Sequence, residues 1–189
     1  MKSLDIYNNI KYLSIFNEIR VFINKVTIDT RKISNNDCYI GIKGDKNDGN
    51  LLYMEAFNKG ASIAILENFT ITDVVGNTKK TLGELAKYKR SMFFSPVVAI
   101  TGSAGKTSTK DMIYSVLKEK YKAHKTIGNQ NNHIGLPLTI LSLEEDNEVL
   151  VLEMGMNHLG EISYLTNIAK PDVAVITNVG TCLLYTSDA

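Results

Sequence analysis

A chain of 189 residues, 44% hydrophobic and 22% charged, has room for one large domain or two small ones, and enough apolar residues to exclude a disordered tail. Twenty-one Lys and Arg against 20 Asp and Glu leave a net charge of +1, which excludes a nucleic-acid binder working through bulk positive charge. Cys38 and Cys182 cannot build a disulfide framework, no apolar run approaches the ~18 residues of a membrane span, and the amino terminus lacks a signal-peptide core; the expectation is a cytoplasmic protein without membrane insertion.

Leu4, Ile6, Ile10, Leu13 and Phe16 recur at roughly helical spacing and predict a short amphipathic helix. Val26 to Ile28 and Cys38 to Ile42 read as strands, and the Gly, Asn and Asp residues of 44–49 as a turn. A helix from Leu51 to Lys59 is expected to stop at Gly60, before a buried strand from Ala61 to Leu66. Residues 1–78 thus form a small α/β domain. Residues 79–95 read as a connecting helix, with Leu82, Leu85 and Ala86 on one side and Lys79, Lys80, Lys87 and Arg90 on a solvated face.

Beyond Pro96 the pattern becomes strand, loop, helix, strand. Val97 to Ile100 is a continuous apolar run, as expected of a strand covered on both faces. A helix is predicted from Lys106 to Tyr121, with Ile113, Val116, Leu117 and Tyr121 as its inner stripe. Val149 to Leu152 and Val173 to Ile176 are further strands, separated by a helix from Glu161 to Ala169 that Pro171 stops. Alternating helices and apolar strands imply right-handed crossovers and a parallel sheet, which binds ligands at the carboxyl ends of its strands. The fold class is α/β: a small N-terminal domain, then an incomplete parallel-sheet phosphate-loop domain over 96–181.

At one such end stand Thr101, Gly102, Ser103, Ala104, Gly105, Lys106, Thr107 and Ser108. Glycines let the backbone wrap phosphate oxygens, with the N–H groups and the positive helix end facing the anion. Lys106 would reach the β- and γ-phosphates of ATP and Thr107 would ligate Mg²⁺. The spacing is a shortened G-x-x-G-K-T, because Ile100 stands where the usual first glycine belongs. Glu153, closing a buried strand, is the expected carboxylate partner of Mg²⁺. His124 and His133 read as surface histidines.

Four stretches in order resemble the Mur ligases. They are Thr101 to Thr107; the run Thr126 to Thr139, with Gly128-Asn129-Gln130-Asn131-Asn132; Glu153 to Ile162; and Ala169 to Gly180, ending in Thr177-Asn178-Val179-Gly180. Asp29-Thr30-Arg31 and the turn Gly44 to Gly49 resemble elements of the family's UDP-binding domain. The resemblance implies an ATP-dependent amide-bond ligase acting through an acyl phosphate. The Asn-rich run is most similar to the members that join D-alanyl-D-alanine to UDP-N-acetylmuramoyl-tripeptide in peptidoglycan precursor synthesis. It also implies Lys106 and Glu153 in catalysis, Thr30 and Arg31 near UDP, Asn131, Asn132 and His158 near substrate, and a monomer at full length. A sister Mur ligase, a folate or cyanophycin relative, and a phosphate-loop kinase or nucleotide switch are the alternatives. The last leaves Gly128 to Thr139 unexplained.

After Thr181 the resemblance fails. Leu183 stands where the family has a metal-ligating His, and the family's carbamylated Lys and amino-substrate domain have no counterpart in the sequence. Residues 182–189 are therefore expected to be a non-native tail, similar to a translated sequencing adapter, and the 189 residues by themselves to be inactive in ligation.

Overall fold

The structure, a computed structural model, describes residues 23–67 and 78–180. The helix predicted over residues 4–16 and the tail 182–189 lie outside the described residues. The chain divides into two compact units between Leu85 and Ala86, inside the segment read as a connector.

In the first unit, β1 (Val26–Thr27), β2 (Asp37–Ile40) and β3 (Ala61–Ile65) form a parallel sheet in the order β1-β2-β3. A 3-10 turn (Gly49–Leu52) leads into α1 (Tyr53–Asn58), so the helix expected from Leu51 begins two residues later. The Asp48 side chain accepts from the Asn50 N–H and fixes that entry. Tyr39, Ala56, Ala61, Ala64 and Leu66 make the core, and the Tyr39 hydroxyl donates to the Gly49 carbonyl at 2.7 Å. The strand predicted to run to Ile42 stops at Ile40, and just beyond it Gly41 packs against the 49–50 turn: a Cβ there would lie 2.9 Å from the Asn50 Cα.

The helix α2 (Thr78–Ser91) runs across the division between the units. The second unit continues with β4 (Val97–Thr101), α3 (Lys106–Leu117), β5 (Ala123–Lys125), α4 (Gly135–Leu141), β6 (Val149–Glu153), α5 (Glu161–Ala169) and β7 (Val173–Ile176). Its four strands are parallel, in the order β5-β6-β4-β7. β6 is buried along its whole length, as its run of apolar residues requires. Leu136 and Ile140 of α4, Leu150 and Leu152 of β6, and Leu165 and Ile168 of α5 meet in one core.

Three expectations are corrected here. The helix expected to reach Tyr121 ends at Leu117. Its expected inner stripe holds in part: Ile113 and Leu117 are half-buried on the face of Lys110, the one fully buried residue of α3, while Val116 is 73% exposed and Tyr121 lies beyond the helix and is exposed. Periodicity shows which side chains share a helix face, not which face a neighbour covers. Arg90, read as part of a solvated face, is only 12% exposed in its side chain and holds three backbone carbonyls.

Candidate nucleotide and metal site

The register of the second sheet builds the site. Ile100 of β4 lies opposite Glu153 of β6, so the loop after β4 begins beside the Glu153 carboxylate. In that loop Gly102 has φ +139° and Gly105 φ +80°, conformations that favour glycine. Gly105 precedes α3, whose first turn has no side-chain cap and leaves its backbone N–H groups for an anion. The segment after β7 holds the other side of the loop. The Asn178 carbonyl accepts from the Ser103 N–H at 3.1 Å, and its side-chain Oδ1 accepts from the Ala104 N–H at 2.9 Å. The Lys106 ammonium donates to the Gly102 carbonyl at 2.7 Å.

A cavity of about 590 Å³ opens next to this loop, lined by Lys106, Thr107, Lys110, Asp111, Lys125, Thr126, Ile127, Gly128, Asn129, Asn131 and Glu153. Three cationic side chains face two carboxylates there, a balance that suits a polyanion. Glu153 is 2% exposed. Its Oε1 accepts from the Asn131 side-chain amide at 2.9 Å, and its backbone N–H donates to Thr126 Oγ1 at 3.0 Å. Its Oε2 is buried without a hydrogen-bond partner, although the Lys110 ammonium stands 3.5 Å away. Lys125 donates to Asp111 at 2.8 Å and lies 4.3 Å from the Tyr114 ring centre. That hydrogen bond holds the Asp111 carboxyl below its ordinary pKa range.

An orphaned buried carboxylate oxygen, on a residue that lines the same cavity as Thr107, fits a hard divalent cation such as Mg²⁺. Among the described residues no three His, Cys, Asp or Glu side chains gather as a metal cage. Thr107 and Glu153 would supply the protein side of such a site, and the cation would neutralise phosphate charge there.

Lys106, Thr107, Asn131 and Glu153, each singled out from the sequence, share this cavity. Thr101, Gly102, Ser103, Ala104 and Gly105 form the strand end and loop beside it, and Ser108 is exposed on the first turn of α3. Asn132 accepts from the Ile134 and Gly135 N–H groups with Oδ1 and so shapes the entry to α4. His158 is exposed and does not line the cavity; its N–H donates to Glu161. In the first unit, the Thr30 hydroxyl donates to Glu55 at 2.9 Å, and the Arg31 guanidinium makes two 2.9 Å hydrogen bonds to Asp29. His124, expected at the surface, is half-buried with Nε2 3.0 Å from Ser142 Oγ, and burial lowers its pKa.

Sequence reasoning passed over Lys110, Asp111 and Lys125. The first two fall four residues after Lys106 and Thr107, one helical turn on and hence on the same face, which was the available signal. Lys125 directly precedes the Thr126 run.

A glycine loop between a parallel strand and a helix, with a buried carboxylate on the next strand, defines a phosphate-loop nucleotide-binding domain. Residues 100–182 match the Mur ligase middle domain. The chain is 44% identical over 166 residues to the UDP-N-acetylmuramoyl-tripeptide–D-alanyl-D-alanine ligase of Bacillus subtilis strain 168, covering 84% of this chain and 36% of that protein. It is 38% identical over 186 residues to the enzyme of the same name from Buchnera aphidicola subsp. Baizongia pistaciae, covering 95% and 40%. A crystal structure of MurF from Acinetobacter baumannii superimposes with a TM-score of 0.84 at 31% identity, over 94% of this chain and 41% of that one. The MurF ligase of Thermotoga maritima in complex with ADP gives 0.78 at 37% identity, over 86% and 42%. The chain belongs to the Mur ligase family, and it spans about two fifths of the length of these relatives.

Proposed function

We propose that the protein carrying these residues is a cytoplasmic, monomeric, ATP-dependent ligase that joins D-alanyl-D-alanine to UDP-N-acetylmuramoyl-tripeptide. No helix among the described residues is long and apolar enough to cross a membrane. The observation that carries the reading is one cavity shared by Lys106, Thr107 and a buried Glu153 with an orphaned oxygen. The likeness to ligases of that name supports the substrate assignment.

A carboxylate resists attack by an amine until one of its oxygens becomes a good leaving group. In the proposed reaction the tripeptide's terminal carboxylate oxygen attacks the γ-phosphorus of ATP, the bond to the bridging oxygen breaks, and ADP departs. The dipeptide amine then forms the amide bond while inorganic phosphate leaves. Such transfer depends on positioning and charge neutralisation. The loop amides and Lys106 hold the phosphates, with Lys106 leaving the Gly102 carbonyl to reach them. Thr107 and Glu153 would hold Mg²⁺, which would supply neutralisation of phosphate charge. Asn131 fixes one oxygen of Glu153 so that the other faces the cavity. Thr30 and Arg31 serve the UDP end, while Asn132 and His158 stand with the substrate-facing loops.

The test is ADP release by the full-length protein, with UDP-muramoyl-tripeptide present or absent and with D-Ala-D-Ala against single amino acids. Release that needs both the tripeptide and the dipeptide is expected. Turnover with a single amino acid but not the dipeptide overturns the substrate assignment in favour of a sister ligase.

A further inference from the structure

We propose that Lys110 is a positioning residue of the metal site: its ammonium is the resident counter-ion of Glu153 and sets how tightly that carboxylate takes a divalent cation. The inference rests on reading Glu153 as the carboxylate that faces Mg²⁺. Both side chains are 3% exposed, and a buried ammonium or a buried carboxylate is tolerated only with a partner of opposite charge. The other cations of the cavity are committed elsewhere. Lys106 donates to the Gly102 carbonyl, and Lys125 to Asp111. Lys110 is left to face Glu153.

The Lys110–Glu153 pair is close without being closed. Its separation is 3.5 Å, and Lys110 lies 3.6 Å from Asp111 Oδ1, both longer than the ~2.8 Å of a charge-assisted hydrogen bond. Asn131 ties down Oε1, so the carboxylate does not turn freely toward the ammonium, and Oε2 keeps its lone pairs. A cation bound at Oε2 would stand within a few ångströms of Lys110 and be repelled by it. Polyphosphate in the same cavity would offset that repulsion. Lys110 thereby makes metal and nucleotide each depend on the other, and such coupling is reciprocal.

The experiment is a titration with Mn²⁺ alone, read by electron paramagnetic resonance, on the purified protein and on Lys110→Met and Lys110→Arg. Without nucleotide, Lys110→Met should bind Mn²⁺ at least ~10-fold more tightly than the parent, since a like charge at short range is removed, while Lys110→Arg should stay within ~3-fold. Saturating ADP should tighten Mn²⁺ binding more in the parent than in Lys110→Met. Equal or weaker Mn²⁺ binding by Lys110→Met, where both proteins bind the ion, overturns the role of Lys110 and leaves the metal reading standing. Failure of both to bind Mn²⁺, with or without ADP, overturns the metal reading and this inference with it. Should Lys110→Met not fold, the ¹⁵N-ammonium resonance of Lys110 in the unmodified protein decides: it should move on saturation with Mg²⁺ and ADP, and an unmoved signal overturns the proposal.

Discussion

Thr177 occupies the space that any side chain at position 102 would need: a Cβ on Gly102 would lie 2.1 Å from Thr177 Oγ1 and 3.0 Å from the Asn178 backbone. The threonine is itself fixed, because its N–H donates to the Thr101 carbonyl at 2.9 Å. The phosphate loop is thus moulded against the segment that follows β7. Its shape depends on a glycine for two separate reasons, the φ of +139° and the missing methyl.

Gly102→Ala should therefore displace the loop, with strain on the order of 1–3 kcal/mol. ADP affinity measured by calorimetry should fall at least ~10-fold, and the melting temperature should drop by several degrees. Unchanged ADP affinity would mean that the loop does not take its shape from this contact.

Lys106→Ala should leave the fold almost intact, because the ammonium is partly exposed and its one hydrogen bond is to the Gly102 carbonyl. Turnover by the full-length protein should nevertheless fall ~100-fold or more, the scale seen when a positioned charge is removed from a developing phosphoryl transition state. Thermal melting alongside the ADP-release assay separates the two effects. Wild-type turnover in a folded Lys106→Ala protein would remove the phosphate loop from the mechanism.

The Asp29–Arg31 pair carries a pH dependence. The Arg31 hydrogen bond lowers the Asp29 carboxyl from 3.8 to about 2. A carboxyl depressed in the folded state stabilises above its unfolded value, so this contribution is present at neutral pH and is lost as pH falls from about 4 to about 2. Arg31 is largely exposed, which keeps the contribution small. Carbon-13 titration of the Asp29 carboxyl should show the low midpoint, and Arg31→Ala should return it toward 3.8. A UDP-linked ligand that draws Arg31 onto phosphate should also raise it. An Asp29 resonance indifferent to saturating ligand would count against Arg31 at the UDP end.

How far the sequence could be read depended on what each signal reports. The helix Glu161–Ala169 and the strand Val173–Ile176 appear with their predicted limits, because Gly160 and Pro171 punctuate them. That Glu153 and Lys106 would share one cavity was legible because a strand end and a glycine loop are local features. β5 was not foreseen: Ala123–Lys125 is three residues long and carries no apolar alternation. Nor was α4, whose Pro137 looks like a breaker but sits in the first turn, where proline is tolerated. Lys110 escaped notice because a lysine on an amphipathic helix reads as solvated, and its burial depends on Glu153, 43 positions away. Asn132 read as a substrate contact by resemblance, while its side chain is engaged with the backbone entering α4.

Arg90 offers the sharpest test of what holds the second unit together. Its Nε donates to the Ala169 carbonyl at 2.7 Å, its Nη2 to the Lys170 carbonyl at 2.9 Å and its Nη1 to the Phe93 carbonyl, with Asp172 3.6 Å away. Asp172 in turn accepts from the Val97 N–H at 2.8 Å, so one guanidinium joins the end of α2, the end of α5 and the start of β4. Cations favour the carbonyl end of a helix, and a planar fork reaches several acceptors that a single ammonium cannot. Arg90→Ala should cost about 2–4 kcal/mol in denaturant unfolding, because it strands carbonyls at a half-buried helix end. Arg90→Lys should recover less than half of that loss, since an ammonium cannot span the three carbonyls at once. ADP affinity of the folded variants should not change, because the clamp sits at the amino end of β4 and the phosphate loop at its carboxyl end. A loss below about 0.5 kcal/mol for Arg90→Ala would place the residue among ordinary surface cations and remove it from the packing of this unit.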